Sequence, residues 1–168
     1  MAGIFRANEI VQAAVEAEKK GEDFYRCLAG RVQSRQIKEL FEELANEEVK
    51  HKKRFEEILS RLEPVELPAH SDEEEYEAYF DALINSHMLF SCGWGEFLLN
   101  QVSDESEALK LAMNFERDSL LFFKEMKGFV PESEKKIVQQ CVDEERGHLV
   151  RLKGMLPAES RDQITEDR

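Results

Sequence analysis

Glycine and proline are scarce, eight and four among 168 residues, so long stretches run without a helix-breaking residue. Cysteine is scarcer still. Cys27, Cys92 and Cys141 are odd in number and far apart, which excludes a disulfide framework and a CxxC metal knuckle and leaves reduced thiols as the expectation. No run approaches 18 uninterrupted apolar residues, and Glu9, Glu16 and Glu18 arrive too early for a signal-peptide apolar region, so a cytoplasmic protein is expected. Basic residues are also in deficit, 23 Lys plus Arg against 36 Asp plus Glu, a net charge of -13. Such a chain is a poor partner for nucleic-acid phosphates, whose affinity comes from Lys and Arg. It is equally poor for anionic membrane surfaces.

What remains is 42% apolar and 35% charged sequence, enough to build a core in a single domain that buries about 70% of its unfolded surface. Between the few breaks lie stretches of roughly 20 to 30 residues rich in Ala, Leu, Glu, Lys and Arg, with apolar residues spaced by three and four. The pattern predicts an all-helical protein. A first helix is expected from about Ala7 to Val32 and a second from Ser34 or Arg35 to Leu62, closed by the Pro64 to Pro68 segment. Together, 7–62 form an antiparallel hairpin. Ser71 and Glu74 make a capping box for a third helix through about Phe90, and Gly93-Trp94-Gly95 then breaks the chain before a short apolar turn from Phe97 to Val102. This stretch, 63–102, is expected to be a crossover connection. A second hairpin, 103–156, holds a helix from near Ser103 to about Lys127 and another from about Pro131 to Met155, and the polar tail 157–168 is expected to fray.

The two hairpins repeat one another. At an offset of 98, Ala14, Glu18, Phe24, Tyr25 and Leu28 fall on Ala112, Glu116, Phe122, Phe123 and Met126. At an offset of 97, Leu40, Phe41, Leu44, Glu48, His51, Phe55, Ile58 and Leu59 fall on Ile137, Val138, Cys141, Glu145, His148, Leu152, Met155 and Leu156. Two antiparallel hairpins joined by one long connection describe a four-helix bundle of ferritin-like connectivity.

Steps of four and three keep one helix face toward a bundle axis. In the second helix they run Ile37, Phe41, Leu44, Glu48, His51, Phe55, Ile58, Leu62, and in the last Val138, Cys141, Glu145, His148, Leu152, Met155. The first reads Ala7, Val11, Ala14, Glu18, Gly21, Tyr25, Leu28, Val32, and the fourth Leu109, Ala112, Glu116, Ser119, Phe123, Met126, Val130. Glu18, Glu48, His51, Glu116, Glu145 and His148 occupy core positions. The same phasing sets aside Glu16, Glu22, Glu47 and Glu144, which fall off the seam.

With 28 Glu among 168 residues, a Glu three before a given histidine arises by chance about one time in six, so a single Glu-x-x-His carries little weight. A single seam histidine is ordinarily a hydrogen-bonded core residue. The combination is different. Four carboxylates from four helices converge at one level, each costing several kcal/mol to desolvate unpaired, and no seam Lys or Arg answers them. Two divalent ions would balance the four charges, each with one neutral imidazole. Carboxylate oxygen with imidazole and no thiolate suits iron or manganese better than a structural zinc site.

At these residues the sequence resembles the rubrerythrin-like branch of the ferritin-like superfamily. The motifs are Glu18 to Tyr25 (EKKGEDFY), Glu48 to His51 (EVKH), Glu116 to Phe123 (ERDSLLFF) and Glu145 to His148 (ERGH), and the likeness spans nearly the whole chain. It implies a bound pair of irons, with Glu48 and Glu145 each paired to the histidine three residues on, and Glu18 and Glu116 as terminal or bridging carboxylates. It further implies peroxide reduction through those metals with electrons from a rubredoxin-type donor, and a homodimer. Tyr25 is a candidate to hydrogen-bond a ligand or take part in redox chemistry, whereas core packing is expected for Phe123. Two departures stand out. The two CxxC pairs of a rubredoxin domain are missing from the sequence, which makes the expected donor a separate molecule. Ser119 stands where rubrerythrins carry an additional Glu.

Cys141, one turn before Glu145, is a candidate for oxidation but more simply a buried thiol. The Cys92 to Glu96 turn is a candidate cover or subunit contact. The runs Glu73 to Glu75 and Lys50 to Arg54 are solvated faces apart from His51, and His70 and His87 carry no chemistry. Three functions therefore stay open: a peroxide-reducing enzyme, an Fe(II)-oxidising iron-handling protein using dioxygen, and a scaffold that metal only stabilises.

Overall fold

The computed structural model describes residues 7–62, Ala82 and 102–158. The crossover helix, the Cys92 to Glu96 turn, His70, His87 and most of the tail lie outside the described residues.

Within them are four long helices and no strand: α1 (Ala7–Ala29), α2 (Arg35–Arg61), α3 (Glu105–Met126) and α4 (Lys135–Met155). Their starts follow local chemistry. The Ser34 hydroxyl accepts from the Ile37 amide at the head of α2. At α3 the cap is Asp104, whose carboxylate accepts from the Glu107 amide at 2.9 Å, while Glu107 in turn accepts from the amide of Ser103, the residue before the cap, at 2.8 Å. The last helix begins four residues later than Pro131 suggests. There 131–134 form turns, with the Glu134 amide bonded to the Pro131 carbonyl at 2.9 Å, and no side chain caps the start. The first helix stops at Ala29 rather than Val32, because Arg31 and Val32 both donate back to the Leu28 carbonyl and turn the chain. The Glu105 carboxylate braces this turn from the other hairpin, accepting from the amides of Gln33 and Ser34.

Helices α1 and α2 pack along each other, as do α3 and α4, while α1 faces α3 and α2 faces α4. The apolar core falls into two separate clusters. One joins the end of α1 (Phe24, Tyr25, Leu28) to the starts of α2 and α3 (Phe41, Leu44, Leu109, Phe115) and the end of α4 (Leu152). The other joins the start of α1 (Ile10, Val11, Ala14) to the ends of α2 and α3 (Phe55, Ile58, Phe123, Met126) and the start of α4 (Val138, Cys141). Neighbouring helices are thus antiparallel, and α2 runs parallel to α3. The 27-residue α2 is about 40 Å long at 1.5 Å per residue, and its end lies at the opposite end of the bundle from the start of α3. Between the two clusters lies a layer of buried polar side chains.

A candidate metal centre

That layer is the seam polar set. Glu18 comes from α1, Glu48 and His51 from α2, Glu116 from α3, and Glu145 and His148 from α4, each no more than 3% exposed. They form two overlapping quartets able to hold a metal ion, Glu18 with Glu48, His51 and Glu145, and Glu116 with Glu48, Glu145 and His148; within each quartet the ligand atoms lie within 4.8 Å of one another. Glu48 and Glu145 belong to both. Glu18 and Glu116 belong to one each, so the repeat that pairs Glu18 with Glu116 and Glu48 with Glu145 relates one quartet to the other.

The histidines are aimed by their outer nitrogens. His51 turns Nδ1 inward, 3.0 Å from Glu145 and 3.7 Å from Glu18, while its Nε2 lies 2.7 Å from Glu144. His148 turns Nδ1 toward Glu145 at 2.9 Å and Glu116 at 3.3 Å, and its Nε2 lies 2.7 Å from Glu47. A carboxylate on the outer nitrogen keeps a proton there and presents the inner one to a metal. Arg54 in turn holds Glu144 at 2.7 Å, and Arg151 holds Glu47 at 3.0 Å. The two imidazoles stack nearly parallel, 17° apart, across the pseudo-twofold.

The fit to a metal can be tested on the buried atoms themselves. Both oxygens of Glu18 and of Glu145, one each of Glu48 and Glu116, and Nδ1 of both histidines have no hydrogen-bond partner. Eight inward-facing donor atoms left this way in a dry core would be costly; bound cations would satisfy them. Protons perform part of that neutralisation otherwise. Burial, with the charges of Glu48 and Glu145, pushes Glu18 well above the usual carboxylate range. Burial and the charge of Glu145 do the same to Glu116. Glu48 rises to about 7, through burial and Glu145. Burial lowers His51, but its bond to Glu144 and the charges of Glu145 and Glu48 outweigh this and carry it up to about 11. His148 is raised against its burial by Glu116, Glu145 and Glu47. Burial alone would raise Glu145, yet the close approach of Glu116, His148 and His51 holds it below the usual range. The site is a proton-loaded cluster ready to exchange protons for metal charge.

Tyr25 is fully buried and donates its hydroxyl to Glu116. Its repeat mate Phe123 packs against Phe55, ring centroids 4.9 Å apart. Ser119 is buried one turn after Glu116, and its repeat mate Gly21 is required by space, since a Cβ there would stand 2.8 Å from Phe115 and 3.4 Å from Glu48. Cys141 is buried in the second core cluster, 3.8 Å from the Arg54 guanidinium. Burial pushes its thiol pKa up, against the opposing pull of His51 and Arg54. Seam phasing missed Glu47, Glu144, Arg54 and Arg151. The repeat itself could have found them, because Glu47 and Arg54 recur as Glu144 and Arg151 at the same offset of 97 as Glu48 and His51.

Four helices in two hairpins, with carboxylates and two Glu-x-x-His motifs at mid-height, define an all-α protein of ferritin-like fold. A solved structure from Thermotoga maritima, described as a candidate ferritin-like diiron-carboxylate protein, superposes with a TM-score of 0.66 at 23% sequence identity, covering 92% of this chain and 97% of that one. No curated protein matches significantly in sequence. The rubrerythrin family model matches residues 9–156, and the chain belongs to that family. Among the described residues no helix is long and apolar enough to cross a membrane.

Proposed function

We propose that this chain is a non-haem di-iron protein whose Glu18, Glu48, His51, Glu116, Glu145 and His148 ligate two irons, and that it reduces hydrogen peroxide with electrons from an external, rubredoxin-type donor. The observation that carries this reading is the pair of quartets sharing Glu48 and Glu145, with their unpartnered inward atoms. Membership of the rubrerythrin family and the diiron-carboxylate description of the Thermotoga maritima structure support iron over other divalent metals, although manganese suits the same ligands. A reduced iron pair held there supplies two electrons for cleaving an O–O bond. The protein's own part is to exclude water, to set both imidazoles through Glu144 and Glu47, and to hold the Tyr25 hydroxyl on Glu116.

Ser119 favours a second reading, Fe(II) oxidation by dioxygen in iron handling, because a serine stands where rubrerythrins carry an extra carboxylate. Anaerobic loading with Fe(II) followed by stopped-flow mixing with peroxide or dioxygen separates the two. Two irons per chain and a much faster reaction with peroxide support the peroxidase reading; equal or faster reaction with dioxygen moves the assignment to the oxidase. Failure to load two metals would remove the basis of both.

A further inference from the structure

The repeat makes the two quartets equivalent in ligand type, yet their surroundings differ. Around Glu116, Tyr25 is packed against Phe24, Phe41 and Phe115, with ring centroids 5.2, 5.9 and 5.5 Å away. Three rings fix the direction of its hydroxyl, which lands on Glu116. The corresponding position for Glu18 is Phe123, which has no hydroxyl to offer. Both Glu18 oxygens are without a hydrogen-bond partner. The asymmetry extends one step further. Phe115, which packs on Tyr25, has Ala17 as its repeat mate, so the ring that fixes the tyrosine has no counterpart beside Phe123. The His148 Nδ1 also stands closer to Glu116, at 3.3 Å, than the His51 Nδ1 does to Glu18, at 3.7 Å.

Resting on the dinuclear reading above, we propose that the two metal positions are unequal: Tyr25 makes the Glu116–His148 position the tight, first-filled one, and Phe123 leaves the Glu18–His51 position weak and exchangeable. A ligand already oriented by a neighbour loses less freedom when it closes on a metal, and removing such an outer partner typically weakens metal binding about 10- to 100-fold. The chain would therefore keep one resident ion and exchange the other. Tyr25 is a positioning residue in this scheme, acting through Glu116.

Titration of the metal-free protein with Co(II), followed by calorimetry and visible absorption, tests this without any turnover. Two binding steps separated by at least about tenfold are expected. Tyr25→Phe keeps the ring and should weaken the tight step by about 10- to 100-fold, closing the gap. Phe123→Tyr should strengthen the weak step and close the gap from the other side. In the unsubstituted protein, the first equivalent of Co(II) should shift the proton resonances of the His148 imidazole, distinguished from those of His51 with the His51→Gln variant. Equal steps in the unsubstituted protein, equal weakening of both steps by Tyr25→Phe, or His51 shifting first would each overturn the inequality while leaving the dinuclear reading intact. Binding of fewer than two ions would overturn both.

Discussion

Replacing Glu48 with glutamine should change stability in opposite directions with and without metal. Glu48 is buried, and burial together with the Glu145 charge raises its pKa from 4.5 to about 7. A carboxyl whose pKa is raised on folding stabilises the fold while it is protonated, and that contribution is lost as pH rises from 4.5 through 7. At pH 8 the ionised side chain therefore burdens the metal-free fold by on the order of 3 kcal/mol, from 2.5 pKa steps at 1.36 kcal/mol each. Glutamine has the same shape and no such charge. In metal-free protein at pH 8, Glu48→Gln should melt higher, by roughly 10 °C for a chain of this size.

With metal the sign reverses. Glu48 belongs to both quartets, so its loss weakens both ions, and a ligand present at 100 times its Kd contributes about 2.7 kcal/mol per site. Scanning calorimetry at pH 8, with chelator and with saturating Mn(II) as a redox-silent probe, reads both effects in one pair of proteins. The variant should gain much less from metal than the parent does. Were Glu48→Gln less stable than the parent in chelator, or equally stabilised by Mn(II), the argument that metal charge neutralises a buried carboxylate cluster would fail.

Other expectations follow from the same geometry. Loading two divalent ions near neutral pH should release protons, because the pKa values of His51, His148, Glu18 and Glu116 are all raised; affinity should climb from pH 6 to 8, as a pH-indicator titration would show. In the metal-free protein, Glu48 should contribute declining stability between pH 4.5 and 7, while His51 contributes fully below 6.5 and loses its contribution toward 11, so denaturation curves measured across this range should fall with rising pH. Glu144→Gln removes the carboxylate on His51 Nε2 and should weaken Co(II) binding about 10- to 100-fold, chiefly at the ion that His51 would hold. Gly21→Ala drives a Cβ to 2.8 Å from Phe115 and should cost about 1 to 3 kcal/mol in chemical denaturation. Exposed Gly147 in α4 has nothing within 4 Å, and Gly147→Ala should instead stabilise by about 0.5 to 1 kcal/mol.

Helix existence and the seam were legible because burial imposes one periodicity along the whole bundle. Glu48 and His51 interrupt an otherwise apolar face in α2, and the repeat returns the same interruption at Glu145 and His148. Boundaries were less legible. Pro131 is a good first residue for a helix, yet a turn through Glu134 takes its place, and Asp104 caps α3 one residue after the Ser103 that the sequence suggests. These choices depend on which carboxylate reaches which amide, which periodicity does not encode.

The outer partners of the histidines escaped for a related reason. A residue beside the seam reaches across the groove to the facing helix, so Glu47 on α2 serves His148 on α4 and Glu144 on α4 serves His51 on α2. Glu116 and each histidine are thereby set by a helix other than their own, whereas neither oxygen of Glu18 has such a partner. Phasing within one helix cannot reveal such crossings, but the repeat can, because a pair that must cross the pseudo-twofold has to recur on both sides of it. Glu47 with Arg54 recurs as Glu144 with Arg151, whereas Tyr25 does not recur and Phe123 takes its place. The recurrent pairs set what the two metal positions share. The position where the repeat breaks is where they are free to differ.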